Sequence, residues 1–213
     1  MLSIRPEEIR RHLDALTRDI GVRVAGSTGE RQAADYVAGE WRRRGVLVSL
    51  EEFPVRERAV ALEQLEILAG GQWRRFPCSL LSNAPGTDGR VIEAPIGVIN
   101  AVTGYQREDL TDLRGKAVLH LGTHIETADH YRRLMDAHPA FLLFVDVRYP
   151  GTVPTADGMF PAYVHQFSAV PTVSVAYQDA WSWIAEGASA ARLRVDGGMR
   201  DSQSQNVIGE LPG

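Results

Sequence analysis

The sequence predicts a mixed α/β protein, a helix–helix–strand piece at the N-terminus followed by a β-rich module. Three observations carry this. Between Pro6 and Gly45 apolar residues recur at helical spacing behind recognisable caps. From about Arg56 the chain turns to short β-forming runs punctuated by Gly and Pro. Within that part, Phe141 to Val147 is a continuous apolar run of the kind a strand buried on both faces needs.

The first helix is expected from about Pro6 to Ile20. Proline suits the first helical position, where its missing N–H costs nothing, and Glu7 and Glu8 follow where the helix dipole favours carboxylates. Ile9, Leu13, Leu16 and Ile20 fall on one face, and Gly21 is a reasonable stop. A second helix opens at Ser27, which with Glu30 has the spacing of a capping box. Its buried stripe is expected to be Ala34, Val37, Ala38 and Trp41, with Gly45 at its end. Val46 to Val55 reads as a strand.

Glu63 to Ala69, Gly70-Gly71 and Gln72 to Phe76 form a hairpin pattern, because paired glycines accept the positive φ of a tight turn. Apolar runs follow at Val91-Ile92, Ile96 to Ile99 and Ala117 to Leu121. A helix is expected from Thr127 to His138 with Tyr131, Leu134 and Met135 inward, then the strand at Phe141. Val170 to Ala176, Ala191 to Val195 and Gln205 to Leu211 read as further strands, with a helix around Asp179 to Glu186. Arg148 to Ala169 has no periodicity and carries several Pro and Gly residues. A loop of that length is either functional or a disordered excursion, and the sequence leaves both open.

Composition sets the limits. The chain has 213 residues, 44% hydrophobic and 23% charged, enough for one good-sized domain or two small ones. A net charge of −4 argues against a nucleic-acid or anionic-lipid partner. One cysteine, Cys78, excludes an internal disulfide and a thiolate zinc site. The start has no apolar leader pattern and no run is long enough to span a bilayer, so a cytoplasmic location is expected, or a secreted one if a leader was removed.

The opening, from His12 to Phe53 with its Arg23 and Gly26 turn, resembles the N-terminal segment of the co-catalytic zinc aminopeptidases, the leucyl aminopeptidase and glutamate carboxypeptidase type. The pieces Leu113 to Gly122, His138 to Val147 and Val170 to Ile184 resemble the protease-associated domain often inserted in these peptidases. The end, from Ser202, resembles the strand that returns to the catalytic domain. The resemblance implies residues 1–55 as peptidase scaffold, 56–200 as insert and 201–213 as returning strand, with the catalytic domain missing. It implies zinc in the full-length parent, with its ligands after the position matched by Asn206 to Leu211. None can be carried onto this chain. The implied partners are the remainder of the catalytic domain and a peptide substrate, and a homo-oligomer is the other expected assembly.

His124, Glu126 and His130 imitate a ligand segment, but they precede the returning strand and lack the i, i+4 spacing of two ligands on one helical face. A polar strand end followed by a helix cap at Thr127 explains them better. His12 belongs on a polar helix side, His120 in a strand, His138 near a helix end, and His165 in the long loop. Cys78 reads as a small buried hydrophobe. Lys116 is the only lysine and reads as a loop end; Gly26 to Gly29 read as a turn rather than a phosphate loop. Arg42, Arg43 and Arg44 read as a solvated helix end. Trp181 and Trp183 cannot share a helical face, so one belongs in the core. No residue is assigned a catalytic, cofactor-binding or metal role. The expected function is the non-catalytic front region of a zinc metallopeptidase, the insert shaping substrate access around Arg148 to Ala169. The alternative is a stand-alone interaction or oligomerisation module, and a weaker third option is a hydrolase built on His124, Glu126 and His130.

Overall fold

A computed structural model describes residues 5–81, 83–122, 127–146, 150–153 and 170–211. It is mixed α/β, with four α-helices among the described residues and eight strands in one sheet. The chain divides into two compact units. Unit 1 is Met1–Arg58 with Met199–Gly213, and unit 2 is Ala59–Gly198, nested within the sequence of unit 1.

Unit 1 opens with α1 (Pro6–Asp14), Pro6 standing in its first turn ahead of Glu7 and Glu8. The helix continues as one π turn, Ala15–Asp19, in which the Ile20 N–H donates to the Ala15 carbonyl. The extra residue of a π turn breaks the α phase. The expected single face of four is therefore split: Ile9 and Leu13 are 49% and 55% exposed, whereas Leu16 and Ile20 are half-buried. α2 (Thr28–Arg42) starts at the predicted cap, the Ser27 hydroxyl accepting from the Glu30 N–H at 3.2 Å. In the other half of the box the Glu30 carboxylate accepts the N–H of Gly26, next to Ser27, at 2.6 Å. Ala34 and Ala38 are buried as predicted, but Trp41 is 37% exposed and Glu40 takes the buried place.

The two long strands are continuous where the sequence predicts separate pieces. β1 runs Leu47–Ala69, joining the strands expected at 46–55 and 63–69. β8 runs Ala190–Glu210, joining those expected at 191–195 and 205–211. Polar stretches such as Arg56 to Arg58 and Arg200 to Gln205 break the apolar alternation, yet backbone pairing holds a strand wherever a neighbour supplies hydrogen bonds.

In unit 2, β1 turns at Gly70-Gly71 into β2 (Gln72–Phe76), the predicted hairpin, with Leu65 opposite Phe76. β3 (Ser79–Leu80) follows. β4 (Ile92–Asn100) unites two predicted runs, and β5 (Ala117–Leu121) and β6 (Phe141–Asp146) lie where expected. α3 (Ala128–Asp136) links β5 to β6, capped by Thr127. β7 (Thr172–Ala176) runs directly into α4 (Tyr177–Ala185), which starts earlier than its polar residues indicated. The sheet order is β2-β1-β8-β4-β5-β6-β7-β3. β4, β5, β6 and β7 are mutually parallel, while β8 and β3 pair antiparallel on their flanks. β5, β6 and β7 are apolar almost throughout because both of their faces are buried, whereas β4 alternates buried and exposed residues. Their side chains, with Tyr131 and Leu134 of α3 and Trp183 of α4, make the unit's core. Trp181, two residues from Trp183, is 46% exposed, the division predicted for that pair. Among the described residues no helix is long and apolar enough to cross a membrane.

Candidate functional site

Two places gather polar side chains at the ends of elements, one in each unit. In unit 2 the place is the end of β5. His120, fully buried, stacks on Phe144 with ring centroids 4.6 Å apart. Its Nδ1 lies 3.3 Å from the Gly122 carbonyl and its Nε2 3.1 Å from the Tyr105 hydroxyl. A carbonyl only accepts, so in the neutral ring the Nδ1 carries the proton and the Nε2 takes the acceptor role toward the Tyr105 hydroxyl. Tyr105 sits in a short 3₁₀ turn, Gly104–Gln106, and its ring lies flat against His130 of α3 at 4.5 Å. Arg133, one turn along α3, donates to the Tyr105 carbonyl at 3.0 Å and to the carbonyls of Arg107 and Glu108. Beside it Glu108, Asp109, Thr111, Arg133 and Asp136 line a shallow pocket of about 200 Å³. The Thr111 N–H and hydroxyl, both donating to Asp109, hold that carboxyl below its usual range.

The helix cap expected at Thr127 is present, its hydroxyl accepting from the His130 N–H at 3.1 Å. His130 is thus placed by the cap and the Tyr105 ring. His124, Glu126 and His165 lie outside the described residues, as does most of the loop from Arg148 to Ala169. His138 follows α3 with φ +54°, donating its N–H to Met135. Cys78 is half-buried against the core. Lys116 precedes β5 as expected.

Among the described residues no three His, Cys, Asp or Glu side chains converge as metal ligands do. His120 and His130 are joined through the phenol of Tyr105 rather than facing a common point. These residues do not fit a zinc site, and no metal-dependent step follows from them.

In unit 1 the polar place is the helix pair. Glu40, 5% exposed, receives Arg11 through both carboxylate oxygens at 2.7 and 3.0 Å, Arg44 at 2.6 Å, and Arg43. Arg11 first, then Arg44 and Arg43, hold its carboxyl far below the usual range. Two of the three arginines expected to be solvated at the end of α2 are therefore part of an ion-pair cluster. The i, i+3 and i, i+4 spacing of Glu40 to Arg43 and Arg44 was a readable signal; Arg11, on another helix, gave none. His12 reaches Tyr36 at 2.8 Å.

The turn between the helices is built from Arg23 and Gly26. Arg23 donates to the carbonyls of Gly21, at 2.7 Å, and Leu16, closing the C-terminal end of the first helix. Gly26 holds φ +79°, and a Cβ there would meet the Ser202 Oγ at 2.8 Å. Its carbonyl accepts from Ser202 and Arg31, at 3.1 and 3.0 Å.

No protein-family model matches the sequence, and no curated protein does. Solved structures do match the fold. The zinc aminopeptidase BSAP from Bacillus subtilis is similar with a TM-score of 0.74 and 19% identity, over 100% of this chain and 49% of that one. A peptidase M28 precursor from Shewanella amazonensis SB2B gives 0.72 and 18%, over 95% and 50%. An aminopeptidase from Aneurinibacillus sp. strain AM-1 gives 0.59 and 20%, over 97% and 48%. The chain spans about half the length of each, and what it shares with them is the fold.

Proposed function

We propose that this chain is the non-catalytic front region of a zinc-dependent aminopeptidase-like enzyme, with unit 1 as part of the peptidase scaffold and unit 2 as a protease-associated insert. The observation that carries the reading is the coverage. The whole chain, both units included, is matched by half of a zinc aminopeptidase at a TM-score of 0.74. The nesting of unit 2 within unit 1 supports it, because an inserted domain leaves and rejoins its host through two neighbouring strands, as the chain does at Arg58 and Met199. In this reading unit 2 shapes access of peptide substrate to a centre whose metal ligands come from the other half of the enzyme.

The test begins with the source DNA past the codon for Gly213. The expected result is an open frame that continues into the remaining half. The product of that frame then hydrolyses aminoacyl p-nitroanilides and retains zinc after dialysis, while the 213-residue chain does neither. Hydrolysis or stoichiometric zinc in the 213-residue chain alone would overturn the reading in favour of a local metal site. A stop directly after Gly213 would overturn it in favour of a stand-alone interaction module.

A further inference from the structure

Glu40 sets one carboxylate against three guanidiniums. Arg11 reaches it from α1, while Arg43 and Arg44 follow it by three and four residues, so all three converge on one acceptor. Among the described residues Glu40 is the one carboxylate within ion-pair distance of any of them. Glu8 acts on Arg11 only at longer range. The cluster therefore carries a surplus of positive charge. The negative end of the α2 dipole, equivalent to about half a charge, reduces that surplus without cancelling it. Unit 1 as a whole has equal numbers of acidic and basic side chains, so the chain's net charge of −4 lies in unit 2.

The donors of the cluster are also not exhausted. A guanidinium presents five N–H groups in a rigid plane. Arg43 uses one terminal nitrogen on Glu40, and Arg44 uses one on the Glu40 carboxylate and carbonyl. The arginine side chains are 50%, 65% and 48% exposed for Arg11, Arg43 and Arg44, so their remaining N–H groups meet water. Glu40 is itself 5% exposed, and it fixes one edge of each fork while the other edges stay open.

We infer that the surface over Glu40 formed by Arg11, Arg43 and Arg44 binds a tetrahedral dianion, a phosphate group. Two charges match the surplus that one carboxylate leaves. Several oxygens match forks whose free edges point outward from a shared acceptor, and arginine pairs with phosphate through two parallel N–H bonds. A monovalent ion leaves both charge and donors unmet. Because Glu40 already holds the guanidiniums together, binding does not have to order three long side chains from a free state.

The experiment follows the arginine Nε–Hε resonances of the 213-residue chain at constant ionic strength and slightly alkaline pH, as inorganic phosphate, glycerol 3-phosphate or chloride is added. Saturable shifts are expected at Arg11, Arg43 and Arg44 with a phosphate group and not with chloride. Arg43→Gln with Arg44→Gln is expected to weaken binding about tenfold or more. Arg11 keeps both of its bonds to Glu40 in that variant, which holds the helix pair together. Arg10→Gln with Arg42→Gln removes the same charge from exposed positions outside the cluster and is expected to leave binding unchanged.

Saturation by inorganic phosphate assigns the site to the free ion, and saturation by the ester alone assigns it to a phosphorylated small molecule. An equal response to chloride would overturn the inference in favour of general screening, a comparison that needs no variant. Equal weakening in the two double variants would overturn it in favour of overall charge. Absence of a saturable shift with either phosphate would overturn it outright.

Discussion

Glu30 and Ser204 stand 174 residues apart in the sequence and meet through a 2.6 Å hydrogen bond, the serine hydroxyl donating to the carboxylate. The other carboxylate oxygen accepts the N–H of Gly26, so one side chain ties the start of α2 and the turn before it to β8. Ser204 is 4% exposed, which takes this bond out of competition with water.

Replacing Glu30 by Ala removes both bonds. The expected loss is about 1–3 kcal/mol of stability, the range for a charge-assisted bond together with part of a helix cap. Ser204→Ala is expected to lose less, and urea denaturation of the double variant should reveal coupling between the two positions. Additive effects would mean that the bond contributes nothing in solution.

Glu40 gives a pH dependence. Its carboxyl is lower in the folded protein than the ordinary glutamate value of 4.5, chiefly through Arg11. A lowered folded value means that the stabilisation is fully present above the unfolded value and is lost as pH falls through the folded one. The wild type is therefore expected to lose urea resistance as pH drops below about 4.5 more steeply than Glu40→Gln, which lacks the titrating group. At neutral pH the variant is less stable, because three guanidiniums lose the negative charge they share and one of its two acceptor oxygens. Parallel pH profiles for the two proteins would refute the assignment.

Trp41 lies over Gly209. A Cβ at 209 would come within 2.7 Å of the indole Cε3 and 3.0 Å of a Val46 methyl. Gly209→Ala is expected to displace the ring and cost about 1–3 kcal/mol, as overpacking does. Trp41→Phe with Gly209→Ala should recover part of that loss. Unchanged stability in the Ala variant, read by thermal melting, would show that the ring moves freely.

Tyr105→Phe keeps the ring that stacks on His130 and removes the hydroxyl that donates to His120. A loss of about 1–2 kcal/mol is expected for this buried bond. The His120 Nε2 resonance should shift in ¹⁵N spectra, while that of His12, in unit 1, stays in place. Unmoved His120 signals would contradict the tautomer deduced from the Gly122 carbonyl.

Local signals were legible wherever the partner was near in sequence. Ser27 and Thr127 announced their helices because a cap is made with a backbone N–H three residues on. Gly70-Gly71 announced the hairpin for a similar reason, and Tyr131, Leu134 and Met135 fell inward because tertiary packing agreed with helical spacing. The same spacing misled in α1, where the contact that fixes the helix is polar and a π turn breaks the phase. It misled again at Trp41, since a buried Glu40 is affordable only with three arginines around it, one of them from α1.

The sequence by itself determined the α/β class and the order of most elements. Each depends on residues within a turn or a strand of one another. Only the tertiary structure decided that four predicted strand pieces are two long strands, that His120 and His130 share a phenol, and that Glu40 is clamped from two helices. Those outcomes rest on contacts between distant segments. Their energies come from desolvation and from neighbours that the local pattern does not name.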